Sequence, residues 1–245
     1  MIDFSSYTDI GEKERNEDTI KVAVNKEQSV CGFILADGLG GHGNGEIASR
    51  FVVDITSNAI EETNGITDLF IDQCFDQAQE QLMEEKARTG YEFIKTTMVM
   101  LLITSSGIAQ WGHIGDSRLY LFRKKKLILR TLDHSVPQML VLGGQIKEKE
   151  IRRHPDRSTL LRAMGVEWDA PMYEIGERKW KIRKGDTFLL CSDGFWEWIE
   201  EKSMIKLINR YKTARESLQA MADTAKASGK GHGMDNLSAI LIQFR

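Results

Sequence analysis

The sequence predicts an α+β fold built on mainly antiparallel sheets. Three features of its 245 residues lead there. Four apolar, β-rich runs, "TTMVMLLITSS", "IAQWGHIG", "RLYLF" and "KLILRTL", follow one another with short polar breaks, the pattern of a strand meander. The helical patterns come in groups rather than alternating singly with strands. The order is therefore strands, two helices, many strands, helices and a last strand, which does not fit a repeated βαβ unit.

Each element has its own local reason. Residues 2–9 and 19–24 are predicted as short strands around the charged loop "GEKERNED", and residues 30–36 as a buried strand. From 45 to 62, Ile47, Phe51 and Ile55 recur four apart beside Ala48, Val52 and Ala59, which gives a helix one apolar face. Thr67 is placed to cap a second helix running to about Lys86, burying Phe70, Cys74, Ala78 and Leu82. Within the meander, the basic run Arg123 to Lys126 separates two apolar strands and reads as a solvated hairpin turn. Short helices are expected at 135–143 and 147–153, then strands in "MYEIGERKWKI" and "DTFLLCS". Helices follow over Ile199–Asn209 and Thr213–Ala227, the second opened by the capping box Thr213-x-x-Glu216, and "NLSAILIQF" closes as a strand.

Composition narrows the function classes. A chain that is 41% hydrophobic, with no linker-like tract or repeat, is expected to form a single domain over 1–245. A net charge of −3 argues against nucleic-acid binding through bulk electrostatics. The longest apolar run, Met98 to Ile103, is far below the roughly 20 residues that span a bilayer. The start "MIDFSSYTDIG" lacks a secretory pattern, and the three cysteines form no CxxC pair. A cytoplasmic protein without membrane or nucleic-acid partners is the expectation, monomeric in the simplest case.

Gly38-x-Gly40-x-x-Gly43, after a strand and before a helix, matches the dinucleotide-binding fingerprint. That reading requires a second parallel strand, where the sequence supplies two successive helices. It also sets Asp37 against a pyrophosphate. Asp37 has company: an apolar run followed by Asp-Gly recurs at Asp193-Gly194, Asp235 stands just before the last strand, and Asp116 lies between two strands. Glu17 and Asp18 precede "TIKVAV". Carboxylates delivered to one sheet edge repel one another unless cations neutralise them. An all-oxygen set points to hard divalent ions, Mg²⁺ or Mn²⁺. Two such ions suit activation of water for attack on a phosphoryl group.

The motifs "TDIGEKERNED", "ADGLGGHGNGEIAS", "TTMVMLLI", "WGHIGDSRLYL", "DHS", "LGGQIKEKEIRRHPDRSTLLRAMG", "LLCSDGFWE" and "GMDNLSAILI" occur in the order of one family. The chain resembles the PPM metal-dependent protein phosphatases, the type 2C serine/threonine phosphatases, in their compact bacterial form. The resemblance implies a four-layer α/β/β/α sandwich and hydrolysis of phosphoserine and phosphothreonine. It implies that Asp37 bridges two core ions, that Asp193 and Asp235 hold the first, and that the Gly38 carbonyl helps hold the second. Glu17 and Asp18 would support the surrounding waters, and Asp116 with Asp193 would hold a third ion. Residues from about Val166 to Ile175 correspond to the family's mobile flap near the substrate. Phosphorylated proteins and a cognate serine/threonine kinase pathway are the implied partners.

Two positions depart from the family pattern. Its phosphate-gripping arginine falls here at Lys13, with Arg15 two residues on, so either could serve. A lysine offers a point charge rather than a planar fork. His42 is the general-acid candidate, displaced from the usual place directly after Asp-Gly, and is alternatively a helix-entry residue. The alternative function on the same fold is a catalytically weak phosphoprotein-binding module.

Overall fold

Every strand pairing among the described residues is antiparallel, and the strands form two stacked sheets. The computed structural model describes residues 2–40, 44–91 and 94–245. In chain order its elements are β1 (Ile2–Asp9), β2 (Asp18–Val24), β3 (Val30–Leu39), α1 (Gly45–Glu62), α2 (Phe70–Thr89), β4 (Lys95–Thr96), β5 (Met98–Thr104), β6 (Ile108–Ile114), β7 (Arg118–Arg123) and β8 (Lys126–Arg130). There follow α3 (Val136–Leu142), a 3₁₀ turn at Glu148–Arg153, β9 (Glu174–Ile175), β10 (Trp180–Lys181), β11 (Thr187–Cys191), α4 (Asp193–Trp196), α5 (Glu201–Arg210), α6 (Ala214–Gly229) and β12 (Leu237–Phe244). One sheet runs β1-β12-β11-β7-β8; the other runs β10-β6-β5-β3-β2, with β4 on β3 and β9 on β6.

The central strands are apolar at successive positions because both of their faces are covered. Alternate side chains on a strand point to opposite faces. On β3, Phe33 and Leu35 enter the core between the sheets, whereas Ile34 and Ala36 pack under α1 and α2. Leu190, Ile240 and Ile242 meet them from the other sheet, and Leu189, Cys191 and Leu241 turn outward to Leu218, Met221 and Ala222 of α6. The result is helices, sheet, sheet, helices, with a dry core between the sheets.

Local outcomes follow the sequence with some differences. The β7–β8 turn is the expected hairpin, with Lys124 and Lys125 both left-handed (φ 49° and 61°), the backbone that two-residue hairpins favour. Thr67 does not cap α2. Its carbonyl accepts the Phe70 N–H at 3.3 Å, and Leu69 occupies the cap position. The segment "MYEIGERKWKI" gives two two-residue strands, both on β6, instead of one continuous strand. Between them Lys179 leaves the ladder to pair with Asp68.

A buried ion pair ties the β7 start to the following loop. Arg118 donates Nε to Asp133 Oδ1 at 2.7 Å and Nη2 to Oδ2 at 2.6 Å, and its guanidinium lies 3.4 Å from the Trp196 ring centre. Both side chains are almost wholly buried. Removing one partner strands the other charge, so Asp133→Ala is expected to lose about 3–5 kcal/mol of stability. Denaturant unfolding measures this. A loss below about 1 kcal/mol, the level of an exposed pair, would show that the charge is relieved in another way.

Candidate metal centre

The candidate carboxylates meet at one end of the cleft between the sheets, and strand parity puts them there. Phe33, Leu35 and Asp37 share the inter-sheet face of β3, so the face that builds the core ends in a carboxylate. Asp18 is the cross-strand partner of Asp37. On the opposite sheet, Asp193 starts α4 two residues after β11, and Asp235 lies two residues before β12. Asp116 occupies the β6–β7 turn, where its carbonyl accepts Trp196 Nε1 at 2.9 Å.

The site is a cavity of about 650 Å³ lined by Glu17, Asp37, Gly38, Asp116, Asp193 and Asp235, with Lys13 among them. Asp18 lies behind this wall, its Oδ2 accepting from Ser192 Oγ at 2.8 Å. Neither Asp37-Gly38 nor Asp193-Gly194 is a turn: β3 continues through Leu39, and Asp193 opens a helix. The glycines answer to crowding. A Cβ on Gly38 would stand 2.2 Å from the Gly45 carbonyl oxygen, and one on Gly194 would stand 2.3 Å from that of Asn236.

Main-chain and hydroxyl contacts hold the carboxylates in place. The Asp37 N–H donates to Thr97 Oγ1 at 3.0 Å, and its carbonyl accepts from Thr97 N and Thr96 Oγ1 at 2.9 and 2.8 Å. Glu17 Oε1 accepts the Gly45 N–H at 3.2 Å at the start of α1. Asn236 accepts from the Glu17 N–H and donates to the carbonyls of Ile10 and Arg15, which pins the first loop beside Asp235. Behind Asp116, His134 Nδ1 accepts the Gly115 N–H at 3.2 Å, and its ring stacks on the buried His113.

Crowding shows in the acidities. Burial, then the charges of its carboxylate neighbours, raises Asp37 well above the usual range. Asp116 rises for the same reasons. Asp18 is pushed up to about 8 and Asp193 to about 6, burial first in both. Glu17 is raised, also chiefly by burial. Burial alone would lower Lys13, but its 2.6 Å contact to Asp235 Oδ2, with the charges of Asp193 and Asp37, leaves its pKa raised. Asp18 Oδ1 is buried without a hydrogen-bond partner. An all-oxygen donor set with surplus negative charge suits hard divalent cations.

The remaining candidates are distributed as follows. Arg15 does not line the cavity; its side chain is 64% exposed, with Nη1 3.4 Å from Glu46. His42 lies outside the described residues. Residues 166–175 pack against α2, where Tyr173 stacks on Phe75 and the Val166 carbonyl accepts from Gln79, and none of them lines the cavity. Lys95, Ser158 and Leu160 do line it; Lys95 carries no motif signal, and Ser158 and Leu160 lie within the motif "LGGQIKEKEIRRHPDRSTLLRAMG" with no site role read from it. Lys95 arrives because β4 pairs with the end of β3.

Two stacked antiparallel sheets with a carboxylate-lined cavity at one end put this chain in the class of proteins built to hold divalent cations. The protein phosphatase 2C family model matches residues 7–242. A putative protein phosphatase 2C-type from Streptococcus pyogenes is 31% identical, with 97% of this chain and 96% of that protein covered. The serine/threonine phosphatase stp of Listeria monocytogenes is 29% identical, with 94% and 91% covered. Among solved structures, the serine/threonine phosphatase of S. agalactiae superposes with a TM-score of 0.87 at 27% identity, covering all of both chains. The catalytic domain of the phosphatase PstP, solved with two manganese ions, superposes at 0.82 and 26% identity, with 99% and 97% covered. The chain belongs to the protein phosphatase 2C family and is a serine/threonine protein phosphatase of that type. Among the described residues no helix is long and apolar enough to cross a membrane.

Carboxyl groups whose pKa is raised in the folded protein keep protons that the unfolded chain has released. Their stabilising effect is complete below about pH 4 and is lost as pH rises through about 6 to 8, the values of Asp193 and Asp18. Protein in excess chelator is therefore expected to melt at a lower temperature at pH 8 than at pH 5. Mn²⁺ should suppress that fall by taking the place of the protons. Thermal melts at the two pH values, with chelator and with Mn²⁺, test this; equal melting temperatures in chelator would contradict it.

Proposed function

We propose that this chain removes phosphoryl groups from phosphoserine and phosphothreonine on proteins by using Mn²⁺ or Mg²⁺ held in the carboxylate cavity. The observation that carries the proposal is the cavity itself: carboxylates from separate segments crowd together, with raised acidities and an unpartnered Asp18 Oδ1. That is a stable arrangement for a protein that binds cations there. Asp37, Asp193, Asp235 and the Gly38 carbonyl are the proposed holders of two core ions. Asp116 with Asp193 is proposed for a third, and Glu17 and Asp18 for the surrounding shell. Bound there, the ions supply Lewis-acid activation of water and charge for the phosphoryl oxygens.

The chain's own groups have distinct parts. Lys13, with its ammonium inside the cavity beside Asp235, attracts the substrate phosphate as a point charge. Lys95 adds a second cation to the wall, which Ser158 and Leu160 also line. Asp37 is kept in register by Thr96 and Thr97. His42 is the proposed proton donor to the leaving serine or threonine oxygen. The substrates are phosphorylated proteins, supplied by a serine/threonine kinase pathway in the same compartment, which we take to be the cytoplasm. Residues 1–245 act as one catalytic domain, and as a monomer.

Hydrolysis of an aryl phosphate is expected to require Mn²⁺ or Mg²⁺, to stop with excess chelator, and to fall at least about a hundredfold in Asp193→Asn, in line with removal of one preorganised electrostatic group. Turnover that persists in chelator would overturn the metal assignment. Lys13→Ala is expected to raise KM for a phosphopeptide about ten- to a hundredfold, the worth of one charge-assisted contact, with a smaller effect on kcat. Steady-state kinetics separates the two constants, and an unchanged KM would remove Lys13 from substrate binding.

A further inference from the structure

A cluster of basic residues lies in and just after the 3₁₀ turn. Arg152, Arg153 and Arg157, with Lys149, line one side of a second cavity of about 780 Å³. Trp198, Ser203 and His232 line it elsewhere, and the His232 ring stacks on Trp198 with centroids 5.6 Å apart. The lining holds four Lys and Arg cations against two carboxylates, Glu197 and Glu200. Arg157 is paired with Glu197 at 2.6 Å, and Arg152 Nη2 with Glu201. Lys149 and Arg153 are exposed and make no ion pair or side-chain hydrogen bond among the described residues.

Two further donors, Arg152 Nη1 and Trp198 Nε1, are buried without an acceptor. Four cationic side chains against two carboxylates leave the cavity positive, so the group that complements it is an anion, and an oxyanion able to take several N–H donors fits best.

The two cavities share a wall. Arg157 lines the basic cavity, and the next residue, Ser158, lines the carboxylate cavity. Glu197 lines the former, and Asp193, one helical turn earlier, lines the latter. The proximity is electrostatic as well: burial first, then the charges of Asp193 and Asp235, help push Glu197 up to about 7. A protein segment with one side chain in the carboxylate cavity therefore carries its neighbouring residues across this wall.

We propose that the second cavity docks a phosphomonoester on the same protein substrate whose other phosphoryl group enters the carboxylate cavity, so that multiply phosphorylated segments are preferred. This rests on the phosphatase reading of the first cavity. Lys149 and Arg153 are the recognition residues, because their charges are unspent and their removal breaks no ion pair or side-chain hydrogen bond among the described residues.

Peptides with one phosphoserine, and with two at a series of spacings, test the assignment. An extended segment advances about 3.3–3.6 Å per residue, so the series scans the distance between the cavities. The parent protein is expected to prefer one spacing of the doubly phosphorylated peptide by about tenfold in kcat/KM, through KM. In Lys149→Ala/Arg153→Ala the ratio of doubly to singly phosphorylated peptide should fall to about one. No preference in the parent, or a ratio preserved in the variant, overturns the proposal. Fluorescence anisotropy of the labelled doubly phosphorylated peptide reads binding without turnover. Binding that weakens about tenfold in the variant, beside a parent that never hydrolyses, would retain the docking site and discard the phosphatase reading. If inorganic phosphate gives ³¹P line broadening that the variant abolishes, while the peptides show no preference, the cavity takes free phosphate and the docking assignment fails.

Discussion

The structure depends on a repulsion. Carboxylates from the residue before β2, the end of β3, the β6–β7 turn, the start of α4 and the approach to β12 are brought into one cavity, where their like charges oppose one another. Such a cluster persists where the surrounding fold over-determines it. Here the restraint is largely main-chain: Asp37 lies within a paired strand, Gly38 and Gly194 pack against other backbones with no room for a side chain, and Asn236 staples the first loop to the last strand. The folding energy that offsets the repulsion comes from elsewhere, from the dry core between the sheets and the helices on either side. Cations held there would relieve the repulsion, and preorganisation of this kind is what a centre for phosphoryl chemistry requires.

Parity makes the link from fold to site direct. A strand buried on both faces sends alternate residues to two cores, and where the strand leaves the sheet the same alternation selects which side chain faces the cleft. Asp37 is in the cavity for the reason that Phe33 and Leu35 are in the core. A one-residue slip of β3 would turn Asp37 towards the helices and Gly38 towards the cleft. The register with β2 and β5, set by apolar packing far from the chemistry, is thus part of the site.

Much of this was legible in the sequence because it is local. The β-rich meander, the α1 periodicity and the Thr213–Glu216 box are short-range signals, and the structure contains all three. The carboxylates at strand ends were visible because an apolar run followed by Asp-Gly is a local pattern that recurs. What was not legible depends on distant partners. Lys95 lines the cavity through the pairing of a two-residue strand and carries no motif signal; Ser158 lies in a family motif, but an irregular loop sets its place at the cavity. Thr67 looked like a cap, but a backbone turn did that work. Arg152, Arg153 and Arg157 share a cavity with Trp198 and with Ser203 of α5, a juxtaposition that chain order does not show.

The lysine at position 13 bears on how the two cavities relate. An arginine fork fixes both the position and the plane of a phosphate, whereas an ammonium attracts it without setting its orientation. Lys13 is also shared, since its nitrogen lies 2.6 Å from Asp235 and part of its charge offsets the carboxylates. On the proposed assignment of Lys13 to the substrate phosphate, orientation of the substrate comes from other contacts: Ser158, Leu160, Lys95 and the arginine-lined wall next to them. Weak grip at the reacting phosphate and strong positive charge a short distance away are complementary. Binding energy realised on a neighbouring part of the substrate can position the reacting group, provided the intervening segment is held. On this view the loss of the fork at Lys13 shifts discrimination away from the single phosphoryl group and towards the segment that carries it.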